Sequence, residues 1–177
     1  MGLAASLTIY FHAQYALSPV VAGYCTAAVV FAGSLIRPIG GMVADRVGGV
    51  RALTALYAVA ACAFAAIGTG LPSIWVALPV FVVGMLALGM GNGSVFQLVP
   101  QRFREEIGVM TGLVGAAGGI GGFYLASSLG LAKQYTGSYG AGFLVFAGLA
   151  AVALVCIAGV RQRWRTNWAA QYGAARV

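Results

Sequence analysis

Residues 107–132 carry no charge, and within them the string GLVGAAGGIGG (112–122) holds six glycines. Glycine costs roughly 1 kcal/mol per residue in a helix interior, so a water-exposed helix would not tolerate six. In lipid, a spanning segment must satisfy its backbone hydrogen bonds internally and has to be helical. There the glycines let a neighbouring helix or a ligand reach the backbone. The segment is read as a lipid-embedded helix whose glycine face has a specific job.

The remaining charges divide the chain in the same way. Residues 1–36, 52–101 and 134–160 are also uncharged. A span needs about 20 apolar residues, so 52–101 is too long for one, and Leu71-Pro72-Ser73 breaks it in two. Ser18-Pro19 is a helix-start signal, with proline at the first helical position. The spacing predicts helices over 19–42, 52–70, 74–98, 108–131 and 138–160. With only 7% charged residues and 61% hydrophobic ones, the chain is far from the ~25% charge of soluble domains, and its mean hydropathy is +0.93. This is an all-α integral membrane pattern.

The net charge of +7 does not indicate a nucleic-acid partner, because the basic residues are scattered among short loops and a tail and form no single face. They read as topology signals. Arg46, Arg51, Arg102, Arg104, Arg161, Arg163, Arg165 and Arg176 fall on one side of the five-helix path, and Lys133 on the other. By the positive-inside rule, loops 43–51 and 99–107 and the C-terminal tail are cytoplasmic. Trp75, Tyr135 and Tyr139 then mark the outer interface, Trp164 and Trp168 the inner one. The tail 161–177 (RQRWRTNWAAQYGAARV) is expected to lie on anionic lipid, at about 1 kcal/mol per Arg.

Residues 1–11 are apolar and must run outward to reach the loop near 12–17. As a helix they rise only about 16 Å, half of the ~30 Å core. They have no basic n-region of a signal peptide. The expectation is a partial helix, as in a truncated or internally started piece of a larger protein. Cys25, Cys62 and Cys156 are far apart, odd in number and without metal spacing, so they read as small packing residues.

Functional candidates follow from depth. Arg37 precedes Asp45 by eight residues, about 12 Å along a helix. An intramembrane charge is a functional-site hypothesis by default; the alternative is an arginine that snorkels to the headgroups. Asn92, in GMGNG, lies ten residues before Arg102, about 15 Å deep. Gly118 lies twelve residues after Glu106, about 18 Å deep. All three share the midplane, where transporter substrates bind; for the glycines, plain helix packing is the alternative. The only acids, Asp45, Glu105 and Glu106, are in loops, so no carboxylate relay crosses the spans. A buried arginine without a buried acid needs a counter-charge, which a bound anion supplies. A small planar oxyanion suits the guanidinium fork.

The string 40–51 (GGMVADRVGGVR) resembles the cytoplasmic loop motif of the major facilitator superfamily, with Gly41, Asp45, Arg46, Gly48 and Arg51 as its gating-loop residues. The strings 17–23 (LSPVVAG), 33–41 (GSLIRPIGG), 89–100 (GMGNGSVFQLVP) and 111–123 (TGLVGAAGGIGGF) are similar to the nitrate/nitrite porter family of that superfamily. The resemblance extends to about Gly159. It implies a half transporter, with the five full helices as numbers eight to twelve of twelve and residues 1–11 as the tail of the seventh. Residues 1–160 are then the C-terminal six-helix half, with its first helix truncated, and 161–177 a basic cytoplasmic tail.

The resemblance further implies that nitrate or nitrite is bound by Arg37, Gly115, Gly118, Gly119, Gly121 and Gly122, to which depth adds Asn92, and moved by alternating access in the inner or plasma membrane. The other partners are the lipid bilayer and an N-terminal six-helix half, in the same or a separate chain. Two other readings stand: a superfamily transporter for another small or organic anion, and a non-transporting fragment. No nucleophile–base set, metal cluster or cofactor loop marks an enzyme, and no cofactor is expected. The GxGxxG-like spellings lie inside apolar helices without a preceding strand.

Overall fold

The computed structural model describes residues 2–172, which form seven helices: α1 Gly2–Tyr15, α2 Pro19–Leu35, α3 Arg37–Val47, α4 Gly49–Gly68, α5 Ile74–Arg102, α6 Ile107–Thr136 and α7 Gly140–Tyr172. Ser18 caps α2, its Oγ accepting from Val21 N, and Ser73 caps α5 by accepting from Trp75 N. These are the orphan N–H groups that a helix start leaves. Five segments are long and apolar enough to cross a membrane, with α2 and α3 together making the first, Pro19–Val47.

Several boundaries differ from the sequence reading. The helix expected over 19–42 breaks at Ile36. Pro38 has no N–H and its ring collides with the carbonyl four residues back, so α3 starts afresh at Arg37. The expected loop 43–51 shrinks to one residue, Gly48, at φ 98° and ψ 129°. Only glycine adopts this conformation without strain. Charges end the apolar core, but they do not end a helix. Accordingly α3 carries Asp45 and Arg46 in its last turns, α4 carries Arg51 in its first, and Gly41 is interior to α3. For the same reason the turn expected over 99–107 narrows to 103–106, and α7 continues past 160 to Tyr172. The side chains of Trp164 and Trp168, and residues 173–177 with Arg176, lie outside the described residues.

Helix α3 continues the path of α2, and the pairing of Gly33 with Gly89 and of Arg37 with Gly93 sets α5 parallel to both. Helix α5 is central, packing along α2, α3 and α4, while α4 also packs along α7. At the end away from Gly48 the core is aromatic. Tyr10, Phe11, Phe81 and Phe143 pack edge to face, with centroids 5.1 Å apart for Tyr10–Phe143, 5.2 Å for Phe11–Phe81 and 5.4 Å for Phe81–Phe143. Such pairs add to simple area burial. Tyr139 joins this cluster at 5.6 Å from Tyr10 and is 9% exposed. It is therefore a core residue, whereas Trp75 and Tyr135 are more than four-fifths exposed. Lys133 bridges the α6–α7 turn, its Nζ donating to Gly137 O at 2.9 Å and lying 5.1 Å from the Tyr139 ring centroid. Tyr15 Oη donates to Leu71 O at 3.1 Å, tying α1 to the α4–α5 turn.

Helix α6 is the exception. It touches α1, α7 and, slightly, α5, and its apolar window has no buried residue.

Candidate functional site

A seam of small residues joins α2/α3 to α5. A Cβ built on Gly89 would sit 2.0 Å from Gly33 O, one on Gly93 2.0 Å from Arg37 O, and one on Gly40 2.2 Å from Met90 O. No side chain fits in such gaps, so the two backbones are in direct contact. The register advances by four on both helices: Gly33, Arg37, Gly41 and Asp45 run beside Gly89, Gly93, Gln97 and Gln101. This small-xxx-small spacing brings membrane helices together where lipid supplies no hydrophobic drive between them.

Polar groups complete the seam. Ser94 is fully buried, and its Oγ lies 3.1 Å from Gly40 O and 2.9 Å from Met90 O. Toward the basic end, Gln97 Nε2 donates to Asp45 Oδ1, and Gln101 Nε2 approaches the same oxygen at 3.5 Å. Asp45 thus clasps α3 to α5. Its role here is a bond to glutamines of the neighbouring helix rather than a helix cap.

The seam brings two of the candidate residues together. The backbone of Arg37 lies against Gly93, the residue after Asn92. The side chains of Arg37 and Asn92 are both exposed in this chain. Arg37 is ten residues from the end of α3, about 15 Å along the axis, and Asn92 is ten from the end of α5. Their depths match.

The α6 glycines are placed differently. Among the described residues, nothing lies within 4 Å of a Cβ built on Gly112, Gly115, Gly118, Gly119, Gly121 or Gly122. Glycines of α2, α3, α4, α5 and α7 serve close packing, and the α6 glycine face is left open among the described residues. The chain does not bring that face against Arg37. Ser94, Gln97 and Gln101 were not singled out from sequence. The signal that finds them is the matched four-residue spacing in 33–45 and 89–101.

Five helical segments long and apolar enough to cross a membrane, packed into one bundle, define a polytopic membrane protein. The sequence matches the Major Facilitator Superfamily over residues 1–126, and the chain belongs to that family. Among curated relatives, it is 32% identical over 152 residues to the nitrite extrusion protein of Bacillus subtilis, covering 81% of this chain and 36% of the relative. It is 33% identical over 150 residues to the probable nitrate transporter NarT of Staphylococcus carnosus, covering 82% and 37%. It is 38% identical over 120 residues to the probable nitrate/nitrite transporter NarK2 of Mycobacterium tuberculosis, covering 67% and 30%. All three are named for transport and none for an enzyme. The matched region spans about a third of the length of these relatives. No solved structure gave a significant match.

Proposed function

We propose that this chain is the C-terminal portion of a nitrate/nitrite transporter in the cell's inner or plasma membrane. Residues 1–160 form the six-helix half with its first helix incomplete, and 161–177 form a basic tail on the cytoplasmic face. The observation that carries the reading is Arg37, an intramembrane guanidinium exposed on this chain while all three acids sit near the basic end, at Asp45, Glu105 and Glu106. An oxyanion supplies the missing counter-charge. Its planar geometry matches two parallel N–H donors, and the Asn92 amide adds a further donor.

The open glycine face of α6, with Gly115, Gly118, Gly119, Gly121 and Gly122, supports a second half packing there around a small ligand. None of the described residues fills that face, and the relatives extend well beyond the matched region. Transport then proceeds by rocking one half against the other about a midplane site. The motif Gly41, Asp45, Arg46, Gly48 and Arg51 holds the cytoplasmic ends of α3, α4 and α5 in one unit during that motion. The names of the relatives favour nitrate or nitrite over organic anions.

The test is uptake by the complete transporter in cells without other nitrate transport. Uptake of labelled nitrate should be competed by nitrite and unaffected by organic acids in excess. Competition by organic acids alone would assign the site to another anion, and absence of uptake would overturn the reading as a nitrate/nitrite transporter.

A further inference from the structure

Where α3 crosses α5, glycine contacts force two backbones together and bring their carbonyl oxygens close. Gly40 packs onto Met90, and a Cβ there would be 2.2 Å from Met90 O. Both carbonyls lie within hydrogen-bond reach of one hydroxyl, Ser94 Oγ, at 3.1 Å from Gly40 O and 2.9 Å from Met90 O. That hydroxyl is fully buried and has a single proton to share between them. No other side-chain hydrogen bond joins α3 to α5 within the apolar part of the seam, among the described residues. The Asp45 clasp lies a turn and a quarter further toward the basic end.

The position of this crossing matters. Gly40 follows Arg37 by three residues on α3, and Ser94 follows Asn92 by two on α5. The backbone of Arg37 itself rests on Gly93. Any slip of α3 along α5 therefore displaces Arg37 from Asn92 by the same amount. Glycine brings the two backbones close but offers no side-chain hydrogen bond to hold that register. The Ser94 hydroxyl supplies such a bond beside Arg37 and Asn92, as Asp45 does at the basic end.

We infer that Ser94 is a positioning residue for the anion site: its hydroxyl fixes the register of α3 on α5 and so the place of Arg37 relative to Asn92. The inference rests on the reading of those two residues as anion-binding. It assigns Ser94 no contact with the anion.

The experiment measures nitrate uptake kinetics for the complete transporter in membrane vesicles, normalised to inserted protein, for wild type, Ser94→Ala, Ser94→Cys and Arg37→Lys. Loss of one interhelical hydrogen bond in a membrane predicts a rise in KM of about three- to tenfold for Ser94→Ala, with Vmax within about twofold. Ser94→Cys, with a weaker donor of similar size, should fall between. A residue with a merely structural role would instead lower the inserted amount or Vmax and leave KM unchanged.

Wild-type KM in Ser94→Ala, beside a crippled Arg37→Lys, overturns the positioning role and leaves the anion site standing. Wild-type kinetics in Arg37→Lys overturns the anion site itself, and the positioning role with it. If Ser94→Ala fails to insert, Ser94→Cys decides: a raised KM supports the role, and a wild-type KM overturns it.

Discussion

At the scale of single residues, the glycines inside the helices of this chain include two contrasting groups. Gly89 and Gly93 are in contact with the backbone of another helix, whereas Gly118 and its neighbours on α6 face open space within the chain. Alanine should therefore act in opposite ways at the two places. Gly93→Ala pushes a methyl into Arg37 O and should lower stability by about 1–3 kcal/mol, as overpacking does. Gly118→Ala meets nothing in this chain and gains helix propensity of roughly 1 kcal/mol. Thermal unfolding of the two purified variants in detergent checks the contrast, and equal melting shifts would contradict it. Gly118→Leu is a separate matter: if the glycine face admits the ligand and the second half, it should block uptake while insertion stays normal. Gly48 is a third kind, held at φ 98° between two helices. Gly48→Ala strains the backbone by about 1–3 kcal/mol.

At the scale of elements, the α2/α3–α5 pair behaves as one body. Backbone contacts run along it, Ser94 pins its middle and Asp45 its basic end. Asp45→Ala removes the acceptor for Gln97 and should cost about 1 kcal/mol. Asp45→Asn keeps an acceptor oxygen and should melt close to wild type. If both variants melted alike, the clasp would be an electrostatic effect and not a hydrogen bond. Much of this element structure was legible in the chain. Hydropathy and proline placement locate the spans, and the Ser18-Pro19 start is where the sequence predicts it. Pro38 was equally visible, yet an apolar run of adequate length masked the break at Ile36, because hydropathy registers a span but not its straightness. The helix ends at Val47 and Arg102 were hidden for a related reason: charges mark where lipid ends, and a helix can continue into the headgroups. The seam was hidden because pairing 33–45 with 89–101 needs the relative placement of two helices that no local pattern contains.

At the scale of the molecule, the chain is a family member with a well-packed side and an open side. The packed side holds the aromatic cluster around Tyr10, Phe81 and Phe143; the open side carries the glycine face of α6. Orientation is directly testable. With Cys25, Cys62 and Cys156 replaced, a cysteine at Ser138 should react with an impermeant maleimide from outside intact cells, and one at Glu105 only after lysis. The reverse pattern would invert the topology. The central claim is that this half contributes its arginine to an oxyanion. The most direct test is the nitrate Kd of the purified complete transporter, wild type against Arg37→Lys. The lysine keeps the charge but loses the planar fork, so the account predicts binding weakened by about tenfold or more. Equal affinity in the two proteins would contradict it.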